Sequence, residues 1–322
     1  MICLGIESTA HTFGIGILND EKILSNEKSV YYPKKGSGII PRDAAQHHVE
    51  NAPTVLRNAL ENSKLKMEDI DRIAFSRGPG LPQCLRVGAV FARTLAAKYD
   101  KPLFDVNHCV AHIEIGKMST NSKDPVILYL SGGNTQVIAF TGGRYRIFGE
   151  AVDNPIGNGL DILARGMGLD MPGGPKIEKI AKEGKYFPLP YVVKGMDLSF
   201  SGLVTEALKH YKQGKSKEDV AYSFQETCFA MLTEVTERAM AHTDKEEILL
   251  VGGVAANKRL QEMLNIMCEE RGAKLFFVPM EYAGDNGTMI AWNGIVSNDP
   301  IKIEDSKINQ KWRTDQVEIN WM

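Results

Sequence analysis

The chain has 322 residues, 43% hydrophobic and 24% charged, and a formal net charge of −2 from 38 Lys+Arg against 40 Asp+Glu. That length buries a substantial core without disulfides, and fits one large domain or two lobes. The charge balance excludes a global field for nucleic acid or anionic lipid, no run of about 18 apolar residues is present to span a membrane, and five scattered cysteines without a Cys-x-x-Cys pair read as reduced thiols of a cytoplasmic protein.

The N-terminal stretch is apolar but lacks a basic start and carries Glu7, so it is not read as a signal peptide. "MICLGIE" and "TFGIGIL" read as strands around a small-residue turn at Ser8–Ala10, and "EKILSNEKS" as a third strand. "YYPKKGSGIIPRDAAQHHVE" reads as a mobile loop, kept irregular by Gly, Pro and Lys, that leads into a helix over 43–62. The strand "RIAFS", a helix over 82–99, the strand "PLFDV" and a helix over 107–117 follow. At 126–140, "VILYLSGGNTQVIAF" repeats the opening pattern of strand, small turn and strand, and "RYRIFGEA" again adds a third. Two such units so far apart indicate an internal duplication, since the period is too long for a solenoid. Helices are expected near 155–168, 174–183, 199–212 and 218–243. Then come the strand, glycine pair and helix of "EEILLVGGVAANKRLQEML", the helix beginning near Ala255. "AKLFFVP" is a further strand, 284–297 a last long helix, and the remainder a polar tail with aromatic anchors. The expected division is a first lobe over 1–124 with partner-docking helices, a second lobe over 125–297 with the nucleotide and metal site, and a tail over 298–322 packed back on the first lobe.

Small turns between strands aim backbone N–H groups at anions. "IESTA" and "LSGGNT" are both such turns; singly each could just close a hairpin, but as a duplicated pair they indicate the actin, sugar-kinase and Hsp70 architecture. The fold class expected is therefore α/β, a duplicated actin-like fold of two lobes with a central cleft, in which a nucleotide lies with its phosphates between the hairpins. In "LLVGGVAANKRL" a strand ends at Gly252–Gly253 and a helix N-terminus follows, with Asn257 placed to bond a hydroxyl; a tight strand–helix turn is the equal alternative. Asp161 or Glu178 could hold ribose hydroxyls, although an exposed helix carboxylate is the commoner case.

His108 and His112 stand four apart on a predicted helix, on one face, where two imidazoles can grip one metal ion. Two polar helix residues are the simpler reading unless further ligands join them, and Tyr129 and Asp285 are the candidates. Cys109 stands where the helical zinc proteases carry their Glu, which argues against peptide hydrolysis. His47 and His48 are adjacent, cannot both face one ion, and read as structural.

Taken in order, "GIESTAHTFGIGI", "GSGIIPRDAAQHH", "RGPGLPQCLRVG", "VNHCVAHIEIG", "LYLSGGNTQVIAF", "VDNPIGNGLDILAR", "DLSFSGL", "VGGVAANKRL" and "YAGDNGTMIAW" cover nearly the whole chain. The sequence resembles the tRNA N6-adenosine threonylcarbamoyltransferase family in its archaeal and eukaryotic form, the catalytic subunit of the KEOPS complex, once labelled a glycoprotease. The resemblance implies one iron or zinc ion per subunit on His108, His112, Tyr129 and Asp285. It implies that Tyr129, Leu130, Ser131, Gly132 and Gly133, with Asp161, Gly174, Glu178 and Asn257, hold ATP or threonylcarbamoyladenylate. Val204 follows "SFSGL" where the family usually has Lys or Thr, so no role is given to residue 204. The implied reaction moves the threonylcarbamoyl group to N6 of the adenosine next to the anticodon, in tRNAs reading codons that begin with A, with no protein nucleophile. The implied partners are tRNA, met mainly through the complex, a small dimerising subunit on the first lobe and a small kinase-like ATPase on the second. The first docking face is expected at Val55, Leu56, Val110 and Ile113, and Lys34, Lys35, Arg42, Arg77, Arg86 and Arg93 are candidates to guide an anticodon arm. A phosphotransferase of the acetate- or sugar-kinase type and a nucleotide-dependent scaffold share the architecture; the His, His, Tyr and Asp set argues for the transferase.

Overall fold

The computed structural model describes residues 1–20, 22–33 and 38–321. Lys34 and Lys35 of the predicted loop, Glu21 of the third predicted strand and Met322 of the tail lie outside the described residues. The chain divides into two compact units, residues 1–118 with 284–322, and residues 119–283.

The first unit is built on five strands, β1 (Ile2–Glu7), β2 (Thr12–Asn19), β3 (Ile23–Val30), β4 (Arg72–Gly78) and β5 (Leu103–Asn107), in the order β3-β2-β1-β4-β5. The β1, β2 and β3 pairings are antiparallel, and β1, β4 and β5 run parallel. Helices α1 (Pro41–Ser63) and α2 (Pro82–Tyr99) both start on a proline, which costs nothing where the first amides have no helical partner. Side chains alternate along a strand, so Leu4 and Ile6 join Ala52, Val55, Ala89 and Ala92 of these helices in one core, while Cys3, Gly5 and Glu7 belong to the other face. Helix α3 (His108–Thr120) begins directly at the end of β5, and every residue from His108 to Gly116 is buried.

The second unit repeats the plan. Strands β6 (Val126–Leu130), β7 (Thr135–Thr141) and β8 (Arg144–Glu150) form an antiparallel meander. Helices α4 (Ile156–Gly166) and α5 (Gly173–Ala181) follow, then a ribbon of β9 (Val193–Lys194) and β10 (Asp197–Leu198), and helices α6 (Ser201–Lys212) and α7 (Lys217–Thr243). Strand β11 (Glu247–Val251), helix α8 (Lys258–Arg271) and strand β12 (Lys274–Phe277) complete a sheet of order β12-β11-β6-β7-β8, in which β6, β11 and β12 are parallel. Order and pairing sense match the first sheet strand for strand, so the chain is a duplicated α/β fold of the actin-like class. Helix α9 (Met280–Ala283) closes the second unit.

Three details depart from the sequence reading. A 3-10 turn at Gly253–Ala256 follows β11, and α8 begins only at Lys258, because the Asn257 side chain accepts from the Arg259 and Leu260 amides and caps it there. The last long helix, α10 (Gly287–Val296), starts after Asn286, whose carbonyl oxygen accepts from the Met289 amide. It groups with the first unit although the sequence division placed 284–297 in the second lobe. The cause is contact at glycines: a Cβ on Gly5 would lie 2.1 Å from the Ala291 nitrogen, and one on Gly16 2.3 Å from the Thr288 nitrogen. Helix α10 therefore rests on the Gly5 face of β1 with backbone against backbone. The ribbon β9–β10 carried no periodic signal at two residues per strand.

The tail follows the first unit. Ile301 bridges to Leu103, the Asn309 amide donates to the Arg77 carbonyl at 2.9 Å, and the Gly80 amide to the Gln310 carbonyl at 3.3 Å. Val55, Val110 and Ile113, expected as a docking face, are buried instead in their own unit; the large apolar residues of α1 and α2 that reach the surface are Val49 and Val90.

Candidate functional site

The period-2 alternation that puts Gly5 against α10 also puts Glu7 on that face, at the C-terminal end of β1. Strand β5 ends alongside, and α3 starts there with His108. The C-terminal ends of parallel strands are where α/β sheets commonly gather ligands. Asp285 stands two residues before α10, held in register by the glycine contacts and by Asn286, whose Nδ2 donates to the Gly284 carbonyl.

These elements bring three side chains together. The Nε2 atoms of His108 and His112 lie 3.6 and 3.3 Å from Asp285 Oδ1. The imidazole rings stand almost perpendicular, centroids 4.7 Å apart. One ligand atom from each of the three residues lies within 4.8 Å of the other two. Donors on a tetrahedral zinc-sized cation with bonds of about 2.1 Å sit about 3.4 Å apart. The donor set and its spacing thus fit a first-row transition metal, which imidazole and carboxylate together suit better than they suit magnesium.

The electrostatics point the same way. Burial works against a charged His108, but the adjoining Glu7 carboxylate, with Asp285 behind it, raises its pKa to about 9. Burial lowers the pKa of His112. Asp285 is buried too, yet its bond to His112 and the charge on His108 hold it well below the usual carboxylate range. A cation on the two Nε2 atoms competes with the His108 proton, so its affinity rises with pH.

Around His108 lie groups that sequence reasoning missed. Glu7 is fully buried, and its Oε2 is 3.1 Å from His108 Nδ1. Glu7 Oε1 accepts from the Thr9 amide at 2.7 Å and from the Thr9 hydroxyl. Asn107 Oδ1 accepts from the Cys109 and Val110 amides and caps α3, while its Nδ2 donates to the Trp312 carbonyl. The available signal was an acidic residue at the end of an otherwise apolar strand. The expectation that "IESTA" offers free amides to an anion is corrected: the Thr9 amide serves Glu7, and the Ser8 amide donates to Ser76 Oγ. Of the expected RNA-guiding groups, Arg77 is taken by Asp105 and by the Trp312 ring, 5.4 Å from its guanidinium carbon, whereas Arg42 and Arg86 are exposed. His47 and His48 engage Ser29 and the Ala10 carbonyl separately.

Tyr129 belongs to the second unit, where it ends the parallel stretch of β6 opposite Val251. Leu128 and Leu130 face the core under α4 to α8, so Tyr129 is on the sheet's other face. The remaining expected residues also lie in the second unit. Ser131 Oγ accepts from the Asn134 amide at 2.9 Å and from that of Gly133. Asp161 accepts from the Gly173 amide, and burial raises its pKa. Glu178 accepts from the Lys258 amide, and Asn257 Nδ2 donates to Gln225 Oε1. Each has a structural task, and together they mark the N-terminal ends of α5 and α8, where helix dipoles favour anions.

The glycines here fall into two kinds. A Cβ on Gly157 or Gly252 would strike the carbonyls of Ser131 and Leu130, at 2.5 and 2.3 Å. A Cβ on Gly132, Gly133 or Gly253 would meet nothing within 4 Å, and on Gly174 only a Leu160 methyl at 3.8 Å. The fold needs the first pair and has room for side chains at the other four.

The sequence profile of tRNA N6-adenosine threonylcarbamoyltransferase matches residues 22–292. The tRNA N6-adenosine threonylcarbamoyltransferase of Thermococcus kodakarensis is 58% identical over the full length of both chains. A Methanobrevibacter smithii protein named "Probable bifunctional tRNA threonylcarbamoyladenosine biosynthesis protein" is 52% identical, with this whole chain covering 60% of its length. Among solved structures, HypF of T. kodakarensis superposes with a TM-score of 0.65 at 18% identity; 91% of this chain matches, spanning 47% of HypF. That likeness is one of fold.

Proposed function

Since the chain belongs to the tRNA N6-adenosine threonylcarbamoyltransferase family and is a transferase, we propose that it carries threonylcarbamoyl from its adenylate to N6 of the adenosine next to the anticodon, as the catalytic subunit of a KEOPS-type assembly in the cytoplasm. The convergence of His108, His112 and Asp285 carries the proposal. In the reaction the N6 amine bonds to the carbamoyl carbon, the carbon–oxygen bond to the adenylate phosphate breaks, AMP departs with the electron pair, and the amine proton leaves to solvent. An activated leaving group needs no protein nucleophile, so the protein's contribution is position.

His108, His112 and Asp285 would hold one iron or zinc ion, with Tyr129 as a further ligand. The ion, when bound, supplies Lewis acidity and a template for the donor's oxygens. The adenylate would lie on the second unit at Tyr129–Gly133, Asp161, Gly174, Glu178 and Asn257. Support comes from the four glycines with room for a side chain: at Gly132, Gly133, Gly174 and Gly253 a flat ligand reaches the backbone, which a Cβ would prevent. Partners would be a small dimerising subunit on the first unit and a kinase-like ATPase on the second.

The test is transfer of labelled threonylcarbamoyl to tRNA, with partner subunits present. Replacing both His108 and His112 by Ala should remove bound metal and transfer together. A metal-free double variant with full transfer would sink the reading.

A further inference from the structure

Glu7 has no assigned part in the site, yet it is the only carboxylate besides Asp285 within ion-pair distance of His108 among the described residues. It is fully buried at the end of β1, and Oε2 lies 3.1 Å from Nδ1, on the opposite side of the ring from Asp285. We propose that Glu7, clamped by Thr9, is a positioning residue that fixes the tautomer of His108, keeping the proton on Nδ1 and the Nε2 lone pair aimed at the cation. The proposal rests on the reading of His108, His112 and Asp285 as a metal site.

A neutral imidazole has one donor nitrogen and one acceptor, and the partner of the first decides the role of the second. An ionised carboxylate only accepts. The Glu7 oxygen facing Nδ1 therefore demands a proton there. Its other oxygen is pinned from two directions, by the amide and the hydroxyl of Thr9, so the carboxylate cannot turn away. Glu7 is also fixed from below, where it pairs with Gly14 of β2 in the sheet. The Thr9 hydroxyl sits 3.3 Å from His108 Nδ1 as well, which closes the triangle of Glu7, Thr9 and His108. Carboxylate–histidine–metal arrangements of this kind orient the ring and raise its basicity as a ligand, and losing the outer carboxylate typically costs 10–100-fold in affinity. His112 has no such carboxylate among the printed ion pairs other than Asp285 itself, so the effect is expected to be specific to one of the two rings.

The variants are Glu7→Gln and Thr9→Val in the full chain. The first keeps the shape but offers an amide in place of one carboxylate oxygen. The second removes the hydroxyl and leaves the backbone amide. Zinc would be titrated against a chromophoric chelator, and the cobalt(II) form followed by its visible spectrum. Glu7→Gln should bind zinc 10–100-fold more weakly and shift the cobalt bands; Thr9→Val should shift affinity in the same direction by less. Nitrogen-15 NMR of the zinc-loaded wild type reads the tautomer with no variant at all, and should show His108 protonated at Nδ1. A proton on Nε2 there, or unchanged zinc affinity in folded Glu7→Gln, overturns the positioning role. A wild type that binds no zinc, cobalt or iron overturns the metal reading instead, so the two failures are distinguishable.

Discussion

Gly132 shows what a single position can decide. Nothing lies within 4 Å of where its Cβ would begin, so a side chain there leaves the fold intact and stands where the ligand's backbone approach is expected. Gly132→Trp should weaken adenylate or ATP binding by at least tenfold, about 1.4 kcal/mol, with the melting temperature unchanged. Equal affinity measured by calorimetry would remove this turn from the site. Gly157→Ala is the contrast, since its Cβ would lie 2.5 Å from the Ser131 carbonyl and should cost stability first. His48 illustrates a different control. It is fully buried, donates from Nε2 to the Ala10 carbonyl at 3.1 Å, and burial, with His47 beside it, lowers its pKa to about 4. The unfolded chain takes that proton near pH 6.5, the folded chain only near 4. Its neutral form thus supports the fold fully above about pH 6.5, and the support declines as pH falls from there toward 4, by about 1.4 kcal/mol per pH unit at most. In His48→Gln, urea-unfolding free energies should fall less steeply across that window than in the wild type. Parallel profiles would show that His48 titrates normally. Of these residues, the sequence marked Gly132 through its place in a strand-turn-strand, and marked His47 and His48 as structural. Glu7 and Thr9 escaped because their meaning depends on His108, a hundred residues away.

Helix α3 is the element on which the site depends, and its start is held by the far end of the chain. Asn107 caps it through Oδ1 and binds the Trp312 carbonyl through Nδ2, while the Trp312 ring lies against Arg77, itself paired with Asp105. The tail is thereby tied to the residue immediately before His108. Asn107→Ala should destabilise the first unit by about 1–2 kcal/mol, the usual worth of a helix cap, and weaken zinc binding with it. Truncation before Asn309 should reproduce part of the zinc effect while leaving the cap itself in place. Thermal unfolding with and without chelator separates the two; a truncated chain that matches the wild type in both would show the tail to be a passenger. The helices were legible where proline or a clear apolar period marked them, as in α2, whose predicted range of 82–99 matches the structure. They were misread where a side chain sets the boundary. Asn257 and Asn286 each accept from amides two or three residues on and delay the helix start, and an Asn is as common in a loop as at a cap.

At the scale of the whole molecule, the duplication was readable because both halves begin with apolar strands around small turns, and the two sheets have the same order and sense. The placement of α10 was not, because it follows from contact between Gly5, Gly16 and a helix some 270 residues later, which no local pattern encodes. Charge belongs to this scale too. With a net charge of −2, the chain lacks the field that drives binding to phosphate. Arg77, one of the few basic groups expected to guide RNA, is engaged by Asp105 and Trp312 within its own unit, and Arg93 donates to the Ala89 carbonyl. Arg42 and Arg86 remain exposed. Each phosphate neutralised adds about 0.7–0.9 to the steepness with which log affinity falls against log salt. Two or three contacts then give a slope of about −2 and weak binding at about 0.15 M salt, where screening acts beyond about 8 Å. The isolated chain should therefore bind tRNA weakly with a shallow salt dependence, and the assembled complex tightly with a steeper one, because partners supply most of the phosphate contacts. Titrations of labelled tRNA against both, at several salt concentrations, give the two slopes directly. If the chain alone binds tRNA as tightly as the complex, and modifies it as fast, the RNA surface lies on this chain and the proposed division of labour is wrong.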